Sequence, residues 1–264
     1  MTALNNILIE ARNISKSFAG VTALDDVSIQ VRAGERVGLV GSNGSGKTTL
    51  LNVLSRFVDI DAGDILLEGK TYRNSDPANL ATRGVVRTFQ YTKNWINMDV
   101  RENLLVDVGN SWPERLIQSL FAWKRIRNHE SALWRDAGSM LERFGIHLDE
   151  LLDNQGGLKL VKDISLGQRR IVELVRAFLM KPKVLLLDEP SVGLDEHAYS
   201  FLEDYLERLA SAGSAILLVS HDKQFVGKNV NRMIIMHEGR KLLEEQARNF
   251  RFGNTTRTSE YGTH

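Results

Sequence analysis

The stretch 41-GSNGSGKTTL-50 places three glycines in the six residues before a lysine. Gly41, Gly46, Lys47 and Thr48 occupy every fixed position of G-x-x-x-x-G-K-[ST], a pattern whose backbone cradles phosphates. The flanks fit that pattern. RVGLV (Arg36 to Val40) is a short apolar run with the β-branched content of a buried strand. LLNVLSRF (Leu50 to Phe57) has helical spacing that puts Leu50, Leu51, Leu54 and Phe57 on one face. A strand, a loop and a helix N-terminus in succession supply converging backbone N–H groups and the positive end of a helix dipole. Gly41, Ser42, Asn43, Gly44, Ser45, Gly46, Lys47, Thr48 and Thr49 are therefore the candidate nucleotide-binding residues. Lys47 would reach the β- and γ-phosphates, and the Thr48 hydroxyl would hold Mg2+. A mere Gly/Ser-rich turn is the competing reading, and the strand and helix around it weigh against that.

A second chemical signal lies at 183-KVLLLDEP-190, a buried-strand pattern ending in two adjacent carboxylates. Side chains alternate along a strand, yet at its end the next residue can turn toward the same pocket. Asp188 is placed to order Mg2+ and Glu189 to polarise an attacking water as a general base. Asp-Glu-Pro as a simple strand stop is the plainer alternative. Twenty residues earlier, ISLGQRR (Ile164 to Arg170) opens a helix that runs to Met180 and stops before Pro182. Ser165 and Gln168 have capping-box spacing, which explains them locally. The same serine, glycine and helix N-terminus would also make a second phosphate-binding device, serving another chain's nucleotide.

Elsewhere, ILIEARNISKSF (Ile7 to Phe18) and VSIQV (Val27 to Val31) show the partial alternation of antiparallel strands, followed by strand candidates GDILLEG and GVVRTFQ. From about Trp95 to Glu150 the character is helical, with Ser111-Trp112-Pro113-Glu114 reading as a capping box. Buried strands return at Val184 to Leu187, Ala215 to Val219 and Met233 to Met236, with a helix at Ser200 to Leu209. Strands alternating with helices imply a mostly parallel sheet covered on both faces. The chain carries one phosphate loop, so a second nucleotide site has to come from dimerisation.

Composition narrows the rest. With 42% hydrophobic residues in 264, a substantial core is within reach. Lys plus Arg (34) nearly balance Asp plus Glu (33), so the net charge of +1 provides no electrostatic footprint for wrapping nucleic acid. The absence of cysteine excludes disulfides, iron–sulfur clusters and thiolate zinc sites. The N-terminus does not read as a signal peptide, and no segment approaches the roughly 18 to 20 apolar residues of a membrane span. A soluble chain is expected, with any membrane role borrowed from a partner.

In order, GSNGSGKT, the Gln90 loop, ISLGQ, VLLLDEP, SVGLD (Ser191 to Asp195) and VSHD (Val219 to Asp222) make the chain resemble the ATP-binding subunits of ABC transporters over about residues 7 to 243. The resemblance implies a single α/β domain over 1–264: a P-loop NTPase core with a mostly parallel sheet, an N-terminal antiparallel β subdomain and a helical insertion subdomain. The core would comprise 1–90 and 168–247, the helical subdomain about 91–167, and a loose tail about 248–264. It further implies a head-to-tail dimer, of identical or different chains, that sandwiches ATP between one chain's phosphate loop and the other's Ser165, Gly167 and Gln168. By the same resemblance Gln90 senses Mg2+ and the attacking water, and His221 contacts the γ-phosphate. Asp195 speaks across the dimer, and Phe18 stacks on adenine unless it is a core aromatic. Leu166 departs from the family's usual glycine. That bulk, with the run from Thr82 to Val106, resembles the importers of branched-chain amino acids.

A groove from Tyr91 to Val106, including Trp95, Ile96 and Met98, would then grip a polytopic membrane permease at the cytoplasmic face of the inner membrane. A solute-binding protein would complete such an importer, and no nucleic acid partner is expected. Trp112, Trp123 and Trp134, spaced by eleven, read either as the core of the insertion or as a face near lipid headgroups. The alternative from another class is a soluble ABC-type ATPase acting on nucleic acid or the ribosome. The basic surface or coiled coil that usually marks one is not visible.

Overall fold

The computed structural model describes residues 6–89, 95–106 and 116–247, with backbone alone for 116–129 and 223–224. Two sheets organise it. β1 (Ile7–Phe18) pairs antiparallel with β2 (Val21–Arg32) and with β4 (Ala62–Leu67), and β5 (Lys70–Thr71) extends the edge, in the order β2-β1-β4-β5. The second sheet contains β3 (Arg36–Gly41), β6 (Val85–Arg87), β7 (Val184–Asp188), β8 (Ala215–Val219), β9 (Arg232–His237) and β10 (Arg240–Gln246) in the order β10-β9-β3-β8-β7-β6. Only β10 runs antiparallel to its neighbour in that sheet. The helices are α1 (Lys47–Leu54), α2 (Pro77–Thr82), α3 (Val100–Leu105), α4 (Leu116–Arg143), α5 (Leu166–Leu179), α6 (Glu196–Ser211) and α7 (Lys223–Asn229).

Every residue of β7 and β8 is buried, as a parallel sheet covered on both faces requires. Period-two alternation divides their side chains. Val184, Leu186, Ala215 and Leu217 join α1 and the antiparallel sheet in one apolar cluster. Leu185, Leu187, Ile216 and Leu218 join α5 and α6 in the other, which continues through Val100 of α3 and Leu141 of α4. Aromatic rings tie that second layer together: Phe144 meets Phe201 edge-on at 4.5 Å, and Phe178 stacks on Tyr205 at 4.3 Å.

Local differences from the sequence pattern have local causes. Phe57 does not share the α1 face. The helix ends at Leu54, where Ser55 Oγ donates back to the Leu51 carbonyl at 2.6 Å and Arg56 takes a left-handed φ of 61°. Phe57 is consequently exposed and meets Phe89 edge-on at 5.0 Å. The helical region after Trp95 begins only at α3, with an Asp99–Glu102 capping box. The Ser111–Glu114 capping box, Trp112 and the 248–264 tail lie outside the described residues, as does the Trp123 side chain. Trp134 packs against the core, with the Arg101 guanidinium 5.6 Å over its ring.

Tyr72 fastens the end of α1. Its buried phenol donates to the Leu54 carbonyl at 2.9 Å, and burial pushes its pKa up. Tyr72→Phe strips that carbonyl of its donor and should cost about 1–3 kcal/mol in urea unfolding. Unchanged stability would show the carbonyl to be satisfied by another group.

Candidate functional site

The phosphate-loop stretch, the paired carboxylates and the histidine all fall at the carboxyl ends of parallel strands. In the register of β3, β8 and β7, Leu39 lies beside Val219 and Val219 beside Asp188. Gly41 is then two residues past that line, Glu189 one, and Ser220 and His221 one and two. Loops at this edge of an α/β sheet share one crevice.

The turn from β3 to α1 is sterically specified. Gly46 has φ 97°, and a Cβ there would lie 2.6 Å from the Ala23 carbonyl oxygen. A Cβ on Gly41 would collide with the Met236 carbonyl and Ser45 Oγ. The Lys47 ammonium donates to the Gly41 carbonyl at 2.9 Å, the Ser42 carbonyl at 2.8 Å and Ser45 Oγ at 3.3 Å. Burial lowers its pKa, while Glu189 and Asp188 act in the opposite direction. Ser42, Asn43, Gly44 and Thr48 are exposed, Thr49 is half-buried, and the first-turn N–H groups of α1 have no intrahelical acceptors.

Asp188 is buried at the end of β7, and burial raises its pKa although Arg87 opposes the shift. Arg87 Nη2 stands 3.6 Å from Asp188 Oδ2, beyond hydrogen-bond reach, and that oxygen accepts no hydrogen bond. A buried anionic oxygen with open lone pairs is the donor that a hard divalent cation takes, so Asp188 and the exposed Thr48 hydroxyl fit Mg2+. Arg87 is itself secured to α1 by donating to Asn52 Oδ1 at 2.7 Å and Ser55 Oγ at 2.8 Å, and burial lowers its pKa to about 10.

Glu189 adopts a left-handed φ of 49°, a conformation that costs a non-glycine residue about 1–3 kcal/mol and clusters at functional positions. Its carboxylate accepts from Ser220 Oγ at 2.9 Å and from the His221 N–H at 3.0 Å. The exposed His221 imidazole brings Nδ1 to 3.0 Å from Glu189 Oε1. Ser220 was not singled out by sequence reasoning. The only signal was a hydroxyl residue at a strand end beside the histidine.

The other candidates are placed apart from this crevice or caught in local contacts. Ser165 and Gln168 form both bonds of a capping box on α5, and Gly167 packs where a Cβ would lie 2.8 Å from the Gly193 carbonyl oxygen. Asp195 caps α6 by accepting from the Ala198 N–H at 2.8 Å. Phe18 is exposed at the end of β1, with the Lys16 ammonium 5.3 Å over its ring. Gln90 lies outside the described residues. Leu166 is exposed at the start of α5.

A family model described as "ABC transporter" matches residues 24–192. The probable branched-chain amino acid transport ATP-binding protein LivG of Methanocaldococcus jannaschii is 33% identical over 237 residues, covering 90% of this chain and 89% of that protein. The high-affinity branched-chain amino acid transport ATP-binding protein LivG of Escherichia coli (strain K12) is 30% identical over 246 residues, covering 92% and 94%. Among solved structures, the ADP conformation of an ATP-binding cassette of an ABC transporter aligns with a TM-score of 0.73 at 30% identity, covering 98% of this chain and 100% of that one.

Gly46→Ala tests the loop geometry directly. The added Cβ would meet backbone and could not be relieved by a rotamer change, so ATP affinity should fall by about 100-fold or more in an equilibrium titration. Wild-type affinity would mean that the loop bends elsewhere.

Proposed function

The chain belongs to the ABC transporter family, and on that footing we propose that it hydrolyses ATP at composite sites shared by two chains, driving solute through a partner membrane subunit. The convergence of Lys47, Asp188 and the Glu189–His221 pair at one sheet edge carries this reading.

In it, the 41–49 loop and the α1 N-terminus receive the β- and γ-phosphates, and Lys47 exchanges its carbonyl partners for phosphate oxygens. Thr48, Asp188 and Gln90 hold Mg2+, which supplies charge neutralisation at the phosphates. Glu189 takes a proton from the attacking water, with its carboxylate aimed by Ser220 and the His221 N–H. His221, exposed toward the crevice, contacts the γ-phosphate. Phe18 offers its open face to adenine. Ser165, Gly167 and Gln168 complete the site of a second ATP-binding chain, identical or different, and Asp195 faces that chain across the interface. One cap can serve both roles, because the capping bonds leave the helix dipole directed outward.

Within this proposal the ATP-binding core is 1–90 with 168–247, and the helical subdomain is about 91–167. The chain sits on the cytoplasmic face of a membrane through a polytopic permease, and exposed Trp95 and Ile96 suit that docking. No helix among the described residues is long and apolar enough to cross a membrane. The relatives' names give branched-chain amino acid transport, which supports that cargo here; the direction proposed is uptake, with a solute-binding protein delivering the cargo.

Glu189→Gln should abolish turnover while ATP stays bound and the dimer stays closed, measured by phosphate release and light scattering. Wild-type turnover would remove Glu189 from the role of base. Lys47→Ala should instead lose ATP affinity, by about tenfold or more, since a charge-assisted phosphate contact disappears. Co-purification of a polytopic membrane subunit with the ATP-locked Glu189→Gln chain tests the partner reading, and ribosomes or nucleic acid in its place would overturn it.

A further inference from the structure

The α5 helix carries a buried ion pair that the reaction scheme does not use. Arg170 Nη1 meets Glu173 Oε2 at 2.7 Å, with both side chains almost wholly excluded from solvent. Their remaining bonds are to main chain that matters. Arg170 Nη2 donates to the Asp188 carbonyl at 2.7 Å and the Glu189 carbonyl at 2.6 Å. These belong to the two peptide planes on either side of the Glu189 Cα, so one guanidinium restrains both backbone torsions of a residue held at left-handed φ. Arg170 Nη1 also donates to the Phe89 carbonyl at 2.7 Å, and Glu173 Oε1 accepts from the Phe89 N–H at 2.9 Å. The pair thus holds both polar groups of the residue immediately before Gln90. One turn further along, Arg176 lies 4.8 Å over the Trp95 ring.

We propose that Arg170 and Glu173 are positioning residues that transmit displacement of the α5 N-terminus to the backbone of Glu189 and to the chain entering Gln90. The inference deepens the function proposed above and rests on its reading of Glu189 and of Ser165 to Gln168. Arg170 lies two residues beyond Gln168 on the same helix, whose N-terminus is held by both bonds of the Ser165–Gln168 capping box. A nucleotide on a second chain that engages Ser165 therefore moves the guanidinium that fixes the Glu189 torsions. Phe89 shifts with it, so the general base and the Gln90 loop respond together rather than independently.

Arg170→Lys keeps the charge, but one ammonium nitrogen with three donors cannot replace both the Nη1 bonds to Phe89 and Glu173 and the Nη2 bonds to the Asp188 and Glu189 carbonyls. The full-length chain is compared with wild type for kcat and KM of ATP hydrolysis, and Arg170→Lys/Glu189→Gln is compared with Glu189→Gln for ATP-driven dimerisation. The expected result is a kcat lowered by about tenfold or more, a KM within about threefold, and dimerisation retained. A kcat within about twofold of wild type overturns the proposal. Loss of dimerisation together with kcat also overturns it, because the pair then only holds α5 in place. If Arg170→Lys does not fold, Arg170→Met/Glu173→Leu fills the same space without charge and is held to the same outcomes. Turnover that survives in Glu189→Gln alone would overturn the underlying reading of Glu189, a failure distinct from an unchanged Arg170→Lys.

Discussion

Three parallel strands ending abreast are the constraint on which the rest of the molecule depends. Because Leu39, Val219 and Asp188 share one rung of β3, β8 and β7, three loops distant in sequence emerge side by side. Hydrogen bonding between strands sets that rung, and a slip of one residue would turn every side chain to the opposite face. Burial on both sides enforces it. A slipped β7 would exchange Leu185 and Leu187 with Val184, Leu186 and the carboxylate of Asp188. The fold's stability and the alignment of its chemical groups therefore rest on the same packing.

Around this edge, charge is managed in two ways. Asp188 is desolvated, with Arg87 3.6 Å away but not hydrogen-bonded to it, and burial outweighs the guanidinium's attraction, so ionisation of the carboxylate is disfavoured. The sign follows from its raised pKa. Ionisation is disfavoured in the folded chain, so the penalty grows as pH rises through the unfolded value and disappears below it. Lys47 shows the complementary case, with burial lowering its pKa and the two carboxylates resisting. In the proposed function, Mg2+ and phosphate would bring the opposite charges to each. Arg170 and Glu173 are managed differently, since the pair is internally compensated and its donors are spent on carbonyls.

Several positions around this crevice and the start of α5 bear strain or steric limits. Gly46 is held by the Ala23 carbonyl, Gly41 by Met236 of the neighbouring strand, and Gly167 by the loop that contains Gly193. Glu189 bears its left-handed backbone without glycine's freedom. Backbone hydrogen bonding from the Glu189 N–H to the Val219 carbonyl at 2.8 Å, with the Arg170 contacts, makes that conformation affordable. Such over-determined positions suit a group that must present a carboxylate in one direction.

The phosphate loop was legible in sequence because it is local: glycines, lysine and threonine act within ten residues, and the strand and helix around them follow from short-range periodicity. The strands β7 and β8 were equally readable, as apolar runs bounded by polar residues, and so was the capping box at Ser165. Phe57 misled, since helical spacing alone does not register the backbond from Ser55 or the left-handed Arg56 that end α1. Ser220 and the Arg170–Glu173 pair carried no distinguishing mark, for an (i, i+3) pair of opposite charges on a helix reads as a solvated face. Only the tertiary structure buries that pair against Phe89, Asp188 and Glu189, because those contacts join residues 18 to 84 positions apart. The sequence by itself determined the chemical groups and the local turns that display them. Strand register and the burial of α5 decided which of those groups meet, since long-range contacts depend on packing that no local pattern records.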